Sequence, residues 1–179
     1  MKSILQRGSI LISKPFIEDT RFNKTIILIS EHNNMGTVGY ILNKNTNDNI
    51  GTTLNIKSNK IIKYGGPVET DTLFFIHNQP QHSQGSHLIS NDLYWGGEIE
   101  QIIHNINLND FDTNNILFFL GYTGWQPKQL EEEINEGSWI IYDRKINIIN
   151  QDLSWSKLLI EINKEFEVWA NAPINFHLN

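Results

Sequence analysis

Two runs of this chain, residues 25–30 (Thr-Ile-Ile-Leu-Ile-Ser) and 116–120 (Ile-Leu-Phe-Phe-Leu), are almost unbroken in apolar residues. β-Branched and aromatic side chains favour extended backbone, and successive side chains of a strand point to opposite faces. A strand that is apolar at consecutive positions therefore needs cover on both faces. The rest of the chain must supply a sheet around these runs and further elements to pack on it. Strand-like stretches bounded by turn residues occur at 9–13, 37–42, 61–64, 73–77 and 139–142, and the run at 116 extends to Gly121. Residues 31–36 are short and turn-like, which predicts a hairpin between 25–30 and 37–42. Residues 143–145 predict a second tight connection, into 146–149.

Three segments carry helical periodicity. Residues 98–106 place Ile99, Ile102, Ile103 and Ile106 on one stripe. Residues 127–136 open with Pro127, suited to a first helical position, and stop before Gly137. In this helix Leu130 and Ile134 face the core, and Glu131, Glu132 and Glu133 read as a solvated face near the positive end of the dipole. Residues 155–169 are the longest, with Trp155, Leu158, Leu159, Ile162, Phe166 and Trp169 on one face.

No regular alternation of strand and helix runs through the chain, which disfavours a doubly wound parallel fold. Neither a repeat nor a long linker divides it, so residues 1–179 are expected to form one domain. A content of 39% hydrophobic residues, five of them Trp, suffices for a core. The Asn-rich stretches 43–49 and 105–109 read as turns, and 79–86 is the most loop-like part.

Composition excludes several chemistries. The chain has no cysteine, so disulfides, thiolate metal sites and a cysteine nucleophile are out. Near the start only Ile4–Leu5 is apolar, and no run approaches the roughly 20 residues of a bilayer span. These features predict a cytoplasmic domain with no membrane segment. The net charge of −6 and the lack of a basic helix argue against direct binding to nucleic acid. The densest basic stretch, Lys57, Lys60 and Lys63, reads as a solvated face.

The chain has no dinucleotide fingerprint, P-loop, nucleophile elbow or zincin motif. His77, His82 and His87 are five apart, but no carboxylate lies at a fitting offset, so neither a metal nor another cofactor is expected. Adjacent Glu31 and His32 read as turn residues rather than an acid–base pair. Two Gly-rich corners stand out, each after an expected strand: Gly65-Gly66-Pro67 and Gly121-Tyr122-Thr123-Gly124-Trp125, the latter leading to Gln129. Glycine permits positive φ and close backbone approach. The corners are expected to lie together as a candidate binding surface of Gly65, Gly66, Pro67, Gly121, Tyr122, Gly124, Trp125 and Gln129. The competing reading is architectural, with Trp125 filling the core.

These corners, with Gly8…Leu11-Ile12-Ser13…Pro15, Phe22…Thr25…Glu31-His32…Gly36…Gly39-Tyr40-Ile41-Leu42-Asn43 and Gln129-Leu130-Glu131…Glu133…Trp139, resemble the signatures of the YqgE/AlgH family. The family usually carries glycines near Gln126 and Lys128, and a small residue in place of Thr123. The resemblance implies an α+β fold: a bifurcated mixed sheet containing a small closed β-barrel, flanked by helices. It implies no catalytic residue or cofactor. Some members are described as candidate transcriptional regulators. The expected function is a non-enzymatic regulatory or binding domain acting through a protein partner or a small ligand. The alternatives are a direct DNA-binding regulator, or an enzyme using His77, Glu31 or Tyr122 near the corners.

Overall fold

The computed structural model describes residues 4–172. Within them the chain forms ten strands and five α-helices: β1 (Ile10–Ser13), β2 (Ile26–Asn33), β3 (Gly36–Ile41), β4 (Asn45–Asn49), α1 (Ile50–Leu54), β5 (Ile61–Tyr64), β6 (Val68–His77), β7 (His87–Ser90), β8 (Leu93–Trp95), α2 (Ile99–Asn107), β9 (Ile116–Trp125), α3 (Gln129–Glu136), β10 (Trp139–Tyr142), α4 (Trp155–Ile162) and α5 (Glu167–Ala170). The fold is α+β, built on one large, mainly antiparallel sheet ordered β10-β1-β2-β3-β9-β6-β8-β7. β9 is the branch point. Its end, Thr123–Trp125, pairs with β3, while Phe119 and Leu120 pair in parallel with β5, which carries β4.

The two apolar runs are buried on both faces, as their composition demands. In β2, Ile26 and Leu28 face one core while Ile27 and Ile29 face another. In β9, Leu117 and Phe119 divide from Ile116 and Phe118 in the same way. One face is covered by α4, whose Trp155, Leu158 and Leu159 are buried there. The Trp155 indole N–H also donates to Ser13 O at 2.9 Å, tying α4 to β1. On the opposite side, α1 and α2 cover β5, β6 and β9 through Ile50, Ile102 and Ile106. Helix α3 covers β1 to β3 through Leu130.

Among the described residues the expected closed barrel is not formed. The strand path is open between β7 and β10. β7 comes up against β2, where the Arg7 guanidinium donates to Leu88 O at 3.0 Å. Among the described residues no ladder joins β7 to β2, which pairs with β1 over Ile26–Leu28 and with β3 over Ile27–Asn33.

Several local expectations also change. β2 runs through Glu31 and His32 to Asn33, so the hairpin turn holds only Asn34 and Met35. The Asn-rich stretch before α1 becomes β4, an exposed strand held by its pairing with β5 despite poor intrinsic propensity. Helix α2 takes in Asn105 to Asn107, and the chain turns at Asn109 with φ of 60°. Residues 146–149 form no strand; Ile146, Ile148 and Ile149 pack against the α4 side of the sheet instead. The long C-terminal helix breaks at Asn163, which is extended (φ −151°, ψ 125°) and accepts from Glu165 N–H at 3.0 Å through its side chain. That bond competes with continuation of the helix. No helix among the described residues is long and apolar enough to cross a membrane.

Candidate functional site

Between β5 and β6 the chain passes through Gly65, Gly66 and Pro67 and crosses β9 where β9 bends at Gly121. Gly65 N–H donates to Leu120 O at 2.8 Å, and Gly65 O accepts from Ile41 N–H at 2.9 Å. Gly66 and Gly121 have φ of +155° and +71°. A Cβ on Gly66 would collide with the Tyr122 carbonyl, and one on Gly121 would lie 2.5 Å from Gly66 O. Both glycines are therefore required by a backbone-on-backbone crossing. The crossing also shifts the β6–β9 register, from Val68 opposite Tyr122 to Leu73 opposite Leu120.

The crossing brings the two corners together, but their side chains part. Gly65, Gly66 and Gly121 are buried. Tyr122 turns toward the α4 side, its ring edge-on to Phe74 at 5.5 Å. Pro67, Gly124, Trp125 and Gln129 line a cleft of about 390 Å³ between the 3-10 turn Thr20–Phe22, the corners and α3. Gly124 needs no special conformation; it is exposed, and a Cβ there would make only an ordinary 3.4 Å contact with the Tyr122 ring.

The floor of the cleft is aromatic. Trp125 and Trp139 meet edge to face at 6.0 Å, and Phe22 packs on them at 6.4 and 5.5 Å. Both indoles are nearly buried and need acceptors. Glu133 supplies one for both: its Oε2 accepts from Trp125 Nε1 at 2.9 Å and Trp139 Nε1 at 2.7 Å. Its Oε1 accepts from Gln129 Nε2 at 2.9 Å, and Gln129 Oε1 accepts from Gln126 N–H at 2.9 Å. Glu133 is thus a bracket under the cleft, not the solvated carboxylate read from its run of three. The clue in the sequence was its place between two Trp residues, eight after one and six before the other.

Helix α3 begins at Gln129, so Pro127 is not its first residue. Lys128 intervenes with φ of 68°, a left-handed conformation that suits glycine, as the family usually has near this position. At the rim, Arg21 Nη2 meets Asp19 Oδ2 at 2.6 Å, and its guanidinium lies 5.9 Å from the Phe22 ring centre. The hydrogen bonds from Arg21 hold the Asp19 carboxyl below its ordinary pKa, against a smaller opposing effect of burial.

The residues considered for catalysis lie elsewhere. His77 is buried, its Nε2 at 3.0 Å from Ser86 Oγ. Its Nδ1 accepts from Gln79 N–H at 3.3 Å, and the Ser86 hydroxyl donates to Ser83 O at 2.8 Å. Burial lowers the His77 pKa, which favours the neutral ring. The Nε2 of that neutral tautomer is a donor to Ser86, the wrong polarity for activating a serine. His82 packs edge-on to Phe111 and His87 stacks on Trp95, so the three histidines serve separate contacts. Among the described residues no three His, Asp or Glu side chains converge as metal ligands. His32 Nδ1 is 2.8 Å from Thr37 Oγ1, across the β2–β3 pair.

Comparison with known proteins places this geometry. The model of the AlgH-like family (DUF179) matches residues 10–167. A UPF0301 protein of Cytophaga hutchinsonii is 36% identical, covering 98% of this chain and 100% of the relative. A UPF0301 protein of Chlorobium limicola is 33% identical, covering 94% and 93%. The crystal structure of DIP2367 from Corynebacterium diphtheriae has the same fold, with a TM-score of 0.77 over 96% of this chain and 95% of that one at 17% identity. The solution structure of AlgH from Pseudomonas aeruginosa superposes with a TM-score of 0.69 over 97% and 99%, at 24% identity. The chain belongs to the AlgH-like family, the YqgE/AlgH proteins its corner motifs resemble.

Proposed function

We propose that this chain is a non-enzymatic binding domain of the cytoplasm, acting in regulation by taking a segment of a protein partner or a small ligand into the cleft beside Gly124. The observation that carries this reading is the cleft's construction. Its floor is a rigid aromatic cluster, and its wall includes the bare backbone of Gly124. The carboxylate beneath has its oxygens committed to Trp125, Trp139 and Gln129. An apolar floor with a few oriented polar groups suits recognition. A carboxylate already occupied by three donors is poorly placed to move a substrate proton. The reversed polarity of the His77–Ser86 contact weighs in the same direction.

A peptide library displayed on phage and panned on the folded protein tests the idea. Enriched peptides should shift the amide signals of Gly124 and Gln129 and the indole signals of Trp125 and Trp139. Glu136→Trp, at an exposed position lining the cleft, should abolish binding while leaving the thermal midpoint in place. Peptides that bind Glu136→Trp as well as the wild type would refute the assignment. Saturable binding to one duplex DNA sequence would replace it with the DNA-binding reading.

A further inference from the structure

We propose a second binding site, for a small hydroxylated phosphate, in the cleft walled by the loop between α1 and β5. This cleft, of about 820 Å³, shares no lining residue with the aromatic one. The chain carries 20 acidic residues against 14 basic ones. Yet none of the ten described residues lining this cleft is acidic, and two are Lys57 and Lys60. A second cleft, of about 410 Å³, shares Lys60 and Asn114 with it and adds Lys63. The stretch read from sequence as a solvated face thus borders open clefts, with Lys57 exposed and Lys60 and Lys63 half-buried.

Among the described residues no carboxylate lies within 4 Å of Lys57, Lys60 or Lys63. The Lys60 ammonium donates to Thr113 O at 2.8 Å, which leaves two of its three donors for a ligand. Burial, with help from Lys63, lowers the Lys60 amine to about 8, against a smaller opposing pull from Asp112. Burial also lowers Lys63, with Asp152 in the second cleft opposing it. A half-buried ammonium with no carboxylate in direct contact is a cost in the free protein that an oxyanion would relieve.

The cleft is also preformed. Ile50 N–H donates to Lys60 O at 2.9 Å and Ile56 N–H to Gly51 O at 3.2 Å, so the loop is held at both ends. A Cβ at Gly51 would collide with the Ser58 carbonyl, so loop and helix are in direct backbone contact. Little ordering remains for a ligand to supply. The remaining lining selects the class. Asn59 and Asn114 offer amides, Asn49 keeps its NH₂ while its Oδ1 accepts from the Thr52 N–H and hydroxyl, and no aromatic ring is among the described lining residues to stack a nucleobase. Such walls suit a phosphate on a hydroxylated carbon frame, with the phosphate between Lys57 and Lys60.

The test is a titration of the full chain, followed by amide NMR, with sodium pyrophosphate, glucose 6-phosphate, ATP and glucose. Pyrophosphate and glucose 6-phosphate should give saturable shifts at Lys57 to Lys60, Thr113 and Asn114, and glucose none. Lys60→Met should weaken binding about tenfold or more, as loss of a charge-assisted contact does. Its thermal midpoint without phosphate should be unchanged or raised, because a desolvated charge has gone. Lys57→Ala, at an exposed position, gives the same readout without touching the packing. No shift up to ~10 mM ligand, the weak end of specific binding, would overturn the proposal. So would full-strength binding by both lysine variants, or ATP binding tightly where pyrophosphate does not.

Discussion

Glu133→Ala removes the acceptor shared by two indoles and tests whether the cleft floor is held from below. Trp125 is 6% exposed and Trp139 2%, so neither N–H can turn to bulk solvent without moving its ring. A hydrogen bond to a charged group contributes about 1.5–3 kcal/mol net. Two such bonds, at 2.9 and 2.7 Å, set an upper range of roughly 3–6 kcal/mol. Glu133 is itself half-buried at the mouth of the cleft, so water replaces part of what is lost. The expected cost is about 3 kcal/mol, near the bottom of that range. In urea, with a slope of about 2 kcal/mol per M, the midpoint should fall by roughly 1.5 M. Glu133→Gln should cost less, about 1 kcal/mol, because its carbonyl still serves the indoles. Its NH₂ would then face the Gln129 NH₂, and Gln129 cannot flip without opposing Gln126 N–H. Trp125→Phe removes one donor, and combined with Glu133→Ala it should show a coupling of about 1–2 kcal/mol. Tryptophan fluorescence reports the transition in each single variant through at least one cleft indole. A Glu133→Ala midpoint within error of wild type, or no coupling, would refute the bracket.

Leu130 is fully buried under α3, and Leu130→Ala should cost about 2–5 kcal/mol in the same urea assay. Gly66→Ala and Gly121→Ala should each lower the thermal midpoint severely, since both need positive φ and both crowd a carbonyl, whereas Gly124→Ala should shift it little. Lys60, with its amine lowered to about 8, binds fewer protons when folded than unfolded between about pH 8 and its ordinary 10.5. Stability of wild type relative to Lys60→Met should therefore rise with pH across that window and be flat below it; a constant difference from pH 7 to 10 would contradict the half-buried placement.

Much of the scaffold was legible in residue order because local chemistry dictates it. Strands 25–30 and 116–120 announced two-sided burial by having no polar face, and each does divide between two cores. The stripe of α2 and the burial of Leu130 followed from helical spacing. Local propensity misled where distant partners decide. Asn45 to Asn49 are poor strand formers, yet β5 supplies a ladder for them. The helix expected to continue to Trp169 stops at Asn163, whose side chain offers the backbone another bond. Among the described residues no ladder joins β7 to β10 or to β2, so the expected barrel stays open.

For the sites, sequence alone determined that two glycine corners were special and that no familiar catalytic set was present. Only the tertiary structure decided which glycines are crossing points and which is open wall, because that depends on what each absent Cβ would meet. It also turned Tyr122 away from the cleft, set Glu133 beneath two indoles, and left Lys60 and Lys63 half-buried at the edge of open clefts. Residue type specifies what a side chain can donate, accept or bury. Which group stands opposite it is set by contacts between segments far apart in the chain, and in this protein those contacts run through β9.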